Sequence, residues 1–319
     1  MPGSAEIRFD VASALVLGSR DVQEDALASD FQVGSDFGFV VLSDGMGGHE
    51  AGDVASNIVV TEVFSELKLQ SVDTKKAFAN ITNILTNAAQ SANQCLREHS
   101  RANPATSGMG ATLVAPVLMK NKLFWISIGD SPLYLFRDNE LKQLNEDHSL
   151  APQIDFMVRS GLLTESVGRN HPDRNCLTSA LLGEDIPQID CPEEPFKLKP
   201  GDLVIAASDG LQFLSNRKIQ KILSAKPKAS SSEIAERFLA EIGKLDDPHQ
   251  DNVSFTVIRV TRHPATQSCR ASEKVEMNGE AHAIPAAAAA GELAKKPARS
   301  AGAFSLFGRL RILPSSLLR

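Results

Sequence analysis

The chain has 319 residues, 42% of them apolar and 23% charged, with a formal net charge of −6, the composition of a globular protein with room for one large domain or two ordinary ones. Its four scattered cysteines (Cys95, Cys176, Cys191 and Cys269) show no CxxC spacing, so neither a structural zinc nor a disulfide framework is indicated, and a reducing, cytoplasmic setting is expected. No apolar run reaches the roughly 18 residues of a membrane-spanning helix, and the start, with Glu6 and Asp10, is unlike that of a signal peptide.

Residues 7–19 and 36–43 are rich in Val, Leu and Phe and predict strands. A helix is expected over 49–67, with Val54, Ile58 and Leu67 on its apolar face. A second is expected over 74–98, where Phe78, Ile81, Leu85, Ala88, Ala92 and Leu96 recur at helical spacing. Strands resume at 112–118, 123–128 and 133–136, and Asp138-Asn139 signals a hairpin turn into 141–144. A mixed region over 148–187 includes a short helix before Gly161. A strand at 203–207 ends in Ser-Asp-Gly, helices follow near 216–223 and 232–243, and a last strand covers 253–260. Strand runs interrupted by helix pairs predict an α+β domain with antiparallel sheets.

Charge and composition change after residue 261. Residues 262–319 hold nine Lys/Arg against four Asp/Glu, which leaves 24 against 35 of the totals of 33 and 39 for residues 1–261. The acidic body excludes nucleic acid as a partner, because such binding rests on cationic contacts with phosphates. The Ala-rich, basic stretch 262–319 reads as a disordered tail outside a single domain of residues 1–261. Its last segment mixes apolar residues with Arg309, Arg311 and Arg319. That segment suits docking on a membrane surface or in a protein partner's groove, or else is a frayed, solvated terminus.

Four aspartates sit where strands meet turns: Asp44 in SDGMGGH, Asp130 after WISIG, Asp209 in AASDG and Asp251 in QDNVSF. Carboxylates at strand ends can converge on one sheet edge, where they repel unless hard cations such as Mg²⁺ or Mn²⁺ bridge them. A single Asp-Gly would merely mark a turn. Cys95 and Arg101 match the Cys-x5-Arg spacing of cysteine-dependent phosphatases, but LREHS between them lacks the glycine of a phosphate loop. His49 and His148 are candidate proton donors, with structural hydrogen bonding as the alternative.

Together the blocks SRDVQEDA (19–26), VVLSDGMGGHEAGDVAS (40–56), SGMGATL (107–113), IGDSPLYL (128–135), EDHSL (146–150), AASDGL (206–211) and DNVS (251–254) resemble, in order, the type 2C metal-dependent serine/threonine protein phosphatases in their bacterial form. The resemblance implies a four-layer α-β-β-α sandwich of two stacked antiparallel sheets. It implies that Asp44, Asp209 and Asp251 ligate one metal, and that Asp44 bridges to a second served by the Gly45 carbonyl and waters on Glu24. Asp25 would steady those waters and Arg20 would grip the substrate phosphate. Two ions roughly 3.5–4 Å apart can lower the pKa of a bridging water and yield hydroxide at neutral pH.

The substrates implied are phosphoserine and phosphothreonine proteins, the products of a serine/threonine kinase. The alternatives are a phospho-sensing module of the same fold without activity and a small-metabolite phosphatase. Three positions depart from the family pattern: Ala111 for a frequent Thr, Pro132 for a frequent Arg, and Phe213 where a further acidic residue is frequent. The last implies that a third metal at Asp130 binds weakly or not at all.

Overall fold

In the computed structural model, residues 6–32, 35–47, 51–71, 80–263 and 313–314 are described. Two antiparallel sheets form the centre. The first contains β1 (Glu6–Val16), β7 (Leu133–Arg137), β8 (Glu140–Gln143), β10 (Leu203–Ala207), β11 (Val253–His263) and the two-residue β12 (Leu313–Pro314). Their order is β12-β1-β11-β10-β7-β8. The second is built from β2 (Asp25–Phe31), β3 (Phe37–Met46), β5 (Leu113–Met119), β6 (Lys122–Ile128) and β9 (Phe196–Lys197) in that order, with β4 (Gly110–Ala111) beside the end of β3.

Alternate residues of each strand face opposite sides, and here both sides are covered. Val40, Leu42, Val114 and Leu118 of the second sheet meet Leu133, Leu135, Val204 and Ile258 of the first in the central core. The other face of the second sheet, with Phe39, Val41 and Val117, packs on α1 (Ala51–Gln70) and α2 (Ile81–Ala102) through Val59, Val63, Leu85 and Leu96. The outer face of the first sheet, with Ile205, Phe255 and Val257, packs on α5 (Asn216–Ala225) and α6 (Ser231–Gly243) through Ile219, Leu223, Ile234 and Phe238. Short helices α3 (Ala151–Arg159) and α4 (Glu165–Arg169) lie in the segment between β8 and β9. The layering is the sandwich that the sequence implied.

Most expected elements form, with adjusted ends. Ser230 and Glu233 make a reciprocal capping box at the start of α6, which fixes that boundary. Asp138 and Asn139 take the left-handed conformation, with φ of 51° and 68°, as a two-residue hairpin turn requires. The first strand stops at Val16, short of residue 19, and α2 begins at Ile81 and runs to Ala102. His49 and Phe78 lie outside the described residues. Strand β2 was not foreseen: its residues, DALASDF, have little strand preference, and pairing with β3 makes it a strand. The last strand continues to His263, opposite Glu6, two residues beyond the expected domain end. Apart from Arg262 and His263 at the end of β11 and β12, which lies beside Ala12 and Ser13, the stretch read as a disordered tail is outside the described residues.

Candidate active site

The two sheets end together at one edge, and that edge carries the aspartates. Asp44 stands at the end of β3, directly opposite Asp25 of β2. Asp209 follows β10 as the first residue of a 3-10 turn, and Asp251 precedes the neighbouring strand β11. Asp130 follows β6. Arg20, Glu24, Asp44, Gly45, Asp130, Asp209 and Asp251 all line one cavity of about 660 Å³. Asp25 is 4% exposed and lies behind the cavity wall, where its Oδ2 accepts a 2.8 Å hydrogen bond from Ser208.

Two glycines let the backbones close up. A β-carbon on Gly45 would stand 1.9 Å from the Gly52 carbonyl oxygen, and one on Gly52 would stand 2.3 Å from Glu24 Oε1. The end of β3 thus touches the start of α1. Burial pushes the Glu24 carboxyl up, and the nearby Arg20 guanidinium only partly offsets this. The Gly45 amide donates to the Glu24 carbonyl at 3.0 Å.

A belt of neutral polar residues beneath the edge holds the acids in place. Thr112 is 2% exposed; its Oγ1 accepts from the Asp44 amide at 3.0 Å, and its own amide donates to the Asp44 carbonyl at 2.8 Å. Asn252, 3% exposed, accepts from the Glu24 amide at 2.7 Å and donates to the Leu17 and Val22 carbonyls at 2.8 and 3.1 Å. Sequence reasoning quoted Thr112 and Asn252 within its blocks and missed their roles. Asn252 adjoins Asp251 in the chain, whereas Thr112 meets Asp44 only across paired strands, so residue type and spacing gave no signal for it.

The acids are not matched by protein cations. Burial pushes the carboxyls of Asp25 and Asp130 up to about 7, and Ser208's hydrogen bond only partly offsets this at Asp25. Asp44 is driven well above the carboxylate range by desolvation and then by the charges of Asp25, Asp209 and Asp130. Asp209 is raised by burial and then by Asp251, and its Oδ1 is buried without a partner. Among the described residues lining the cavity Arg20 is the one cation, and it donates to Asp251 Oδ2 at 2.6 Å. Among the described residues no three such side chains already close on one point as a finished ion shell. The donor set nevertheless fits hard dications: all oxygen, anionic, short of counter-charge, with an orphaned Asp209 oxygen.

Other sequence features fall outside this site. His148 is 2% exposed, does not line the cavity, and accepts the Gly129 amide on Nδ1 at 3.2 Å, with its Nε2 buried without a hydrogen-bond partner. Cys95 and Arg101 lie within α2 and the thiol is raised by burial, the opposite of an activated nucleophile. Phe213 lines neither this cavity nor the adjoining one of about 460 Å³ that also contains Asp130 and Asp209; Gln212 does. The 3-10 turn after Asp209 rotates position 213 away, so an acidic side chain there is not what this edge lacks.

Residues 17–243 match the family description "Protein phosphatase 2C". The chain belongs to the protein phosphatase 2C family. Among curated relatives, the serine/threonine phosphatase stp of Listeria welshimeri is 33% identical over 225 residues, covering 70% of this chain and 84% of the relative. Protein phosphatase PhpP of Streptococcus pneumoniae is 32% identical over 211 residues, 65% of this chain and 82% of PhpP. Among solved structures, the Mycobacterium tuberculosis phosphatase PstP/Ppp superposes with a TM-score of 0.64 at 26% identity, covering 80% of this chain and 99% of that one. The catalytic domain of PstP in complex with two manganese ions superposes with a TM-score of 0.63 at 28% identity, again covering 80% and 99%. This family member has no helix among its described residues long and apolar enough to cross a membrane, and Cys95, Cys176 and Cys191 are free thiols.

Proposed function

We propose that this protein phosphatase 2C hydrolyses phosphoserine and phosphothreonine in cytoplasmic proteins, the products of a serine/threonine kinase, at the sheet edge around Asp44. The observation that carries the proposal is one cavity in which a single guanidinium stands among under-compensated carboxylates. Asp44, Asp209 and Asp251 would hold one Mg²⁺ or Mn²⁺. Asp44, the Gly45 carbonyl and Glu24 would serve the second ion, Glu24 through water. When bound, such ions supply a water of lowered pKa and neutralise charge on the phosphoryl group.

The chain's own residues do the rest. Arg20 is half exposed and its bond to Asp251 is open to water. Exposed pairs of that kind contribute at most about 1 kcal/mol. Arg20 can therefore leave Asp251 at small cost and present its fork to two phosphate oxygens, freeing Asp251 for a cation. Thr112 and Asn252 fix the backbones of Asp44 and Glu24 so that neither carboxylate has to reorganise. Asp25 would steady the water on Glu24. Asp130, which faces both cavities with Asp209, is the residue for a third, more weakly held ion.

The test is turnover of p-nitrophenyl phosphate and of a phosphothreonine peptide with Mn²⁺ or Mg²⁺, and its loss with EDTA. Cys176 lines the cavity, so a thiol reagent could block it by bulk alone. The cleaner check is that Cys95→Ser and Cys176→Ser keep full turnover. An inactive, folded, metal-loaded protein would favour the phospho-sensing alternative, and turnover of small phosphate esters with none of phosphopeptides would favour the metabolite phosphatase.

A further inference from the structure

One wall of the catalytic cavity is a loop that the chemistry does not use. Residues 182–185, Leu-Gly-Glu-Asp, follow a bridge in which Ala111 and Leu181 exchange both backbone hydrogen bonds at 2.9 Å. Ala111 in turn pairs with Gly45 at the end of β3. Leu181, from which the loop departs, is therefore two strand spacings from Gly45 at the metal edge, roughly 10 Å at about 4.8 Å per spacing. It is firmly held. Asn93 of α2, 7% exposed, accepts from the Gly183 amide at 2.7 Å and donates to the Glu184 carbonyl at 2.5 Å. Arg97 donates to the Gly183 carbonyl.

The loop stands between two openings. Leu182, Glu184 and Asp185 line the catalytic cavity and also a second cavity of about 760 Å³. Leu182 is 47% exposed, and neither acid has an ion-pair partner among the described residues. Of the carboxylates lining the catalytic cavity, Glu24, Asp44, Asp130, Asp209 and Asp251 belong to the metal edge, whereas Glu184 and Asp185 do not. The cations of the second cavity, Arg97 and Arg101, do not line the catalytic one. A chain leaving the metal edge in this direction would pass Leu182 and the two carboxylates on the wall shared by both cavities, with Arg97 and Arg101 lining the second cavity alone.

We propose that residues 182–185 form the substrate-flank subsite, selecting phosphopeptides with a lysine or arginine about three residues from the phosphorylated one. The spacing follows from the roughly 10 Å offset and the roughly 3.3–3.6 Å that an extended chain covers per residue. The sign follows from the acidic loop, whose rigid mounting means that its charges are already in place when a substrate arrives. The proposal rests on the phosphoprotein-phosphatase reading and names the substrate class within it.

The experiment uses the Mn²⁺-loaded full chain and phosphothreonine nonapeptides bearing one lysine or one glutamate at each flanking position. At low salt, kcat/KM should favour lysine over glutamate by about five- to tenfold at two to four residues on one side, as two exposed charge contacts allow. Added salt should shrink the ratio. In the double variant E184Q/D185N, which alters charge at exposed positions and nothing in the pinned backbone, the ratio should fall below about twofold. A flat lysine/glutamate profile in the natural protein, or a ratio that persists in the double variant, overturns the subsite. p-Nitrophenyl phosphate, with no chain to reach the loop, is measured in the same samples. Failure there sinks the phosphatase reading itself, whereas a flat profile beside normal turnover sinks only the subsite.

Discussion

The metal edge and the polar belt beneath it treat buried polarity in opposite ways. In the belt, Thr112, Asn252 and Ser208 are at most 3% exposed, and every one of them is hydrogen-bonded. At the edge, the carboxyls of Asp44, Asp25, Asp130 and Asp209 are desolvated and sit among other acids, with only Asp209 eased by the Arg20 guanidinium. Satisfied neutral groups stabilise a fold; crowded anions do the reverse until a ligand arrives. Local instability of the protein alone is thus the complement of affinity for a dication.

This contrast breaks first at the edge. Asp209→Asn and Asp44→Asn should each lower turnover by about two orders of magnitude or more, since each removes an anionic oxygen from the proposed ion site. The metal-free Asp44→Asn protein should nevertheless melt higher, by about 2–4 °C, because a repelling charge is gone. Calorimetry beside kinetics checks both, and a lower melting temperature for that variant would count against the strained-edge account. Metal removal is the next largest effect. EDTA should abolish turnover reversibly, and Mn²⁺ at about a hundred times its Kd should restore about 2.7 kcal/mol of stability.

Arg20→Ala should raise KM by about tenfold with a smaller fall in kcat, because the lost contact is with the phosphate in ground and transition state alike. The belt should respond in the other currency. Asn252→Ala leaves the Glu24 amide and two carbonyls without partners, and should cost about 2–3 kcal/mol by denaturant unfolding with or without metal. Smallest of all, ending the chain after His263 should keep a folded domain with at least half of the turnover, as a tail of that composition cannot support a core. Loss of the cooperative thermal transition in that shortened chain would mean that the tail packs on the domain.

What the sequence made legible follows the same division. Charged residues at strand ends, glycines that permit close approach and strands buried on both faces leave signals in residue type and spacing, and Asp44, Asp130, Asp209 and Asp251, which line one cavity, were found that way. Neutral pins do not. Thr112 and Asn252 look like any threonine or asparagine until the strands they join are side by side. Strand β2 was hidden because its residues do not favour a strand and only β3 makes them one. Phe213 was misplaced for a local reason: the chain after Asp209 coils into a 3-10 turn, so its side chains face in a different order from those of an extended stretch. The loop at 182–185 had no motif, because its meaning lies in its distance from Gly45.

Strand β2 is an edge strand of the second sheet, held by β3 on one side only. Edge strands are the ones that can slide, and a slip of one residue turns each side chain to the opposite face. Here such a slip would replace Asp25 opposite Asp44 with Glu24 or Ala26 and carry the Glu24 carboxylate away from the cavity. Helix α1 packs along β2 and opposes such a slip with contacts just before the strand and near its end. Its first turn brings Gly52 against the Glu24 carboxylate, and in its last turn Lys68 donates to Asp30 at 2.7 Å. A helix of 20 residues spans about 30 Å, so the two grips act as separate stops on one sliding part. Fidelity of strand registration, as much as choice of ligand, is then what α1 contributes to the chemistry at the sheet edge.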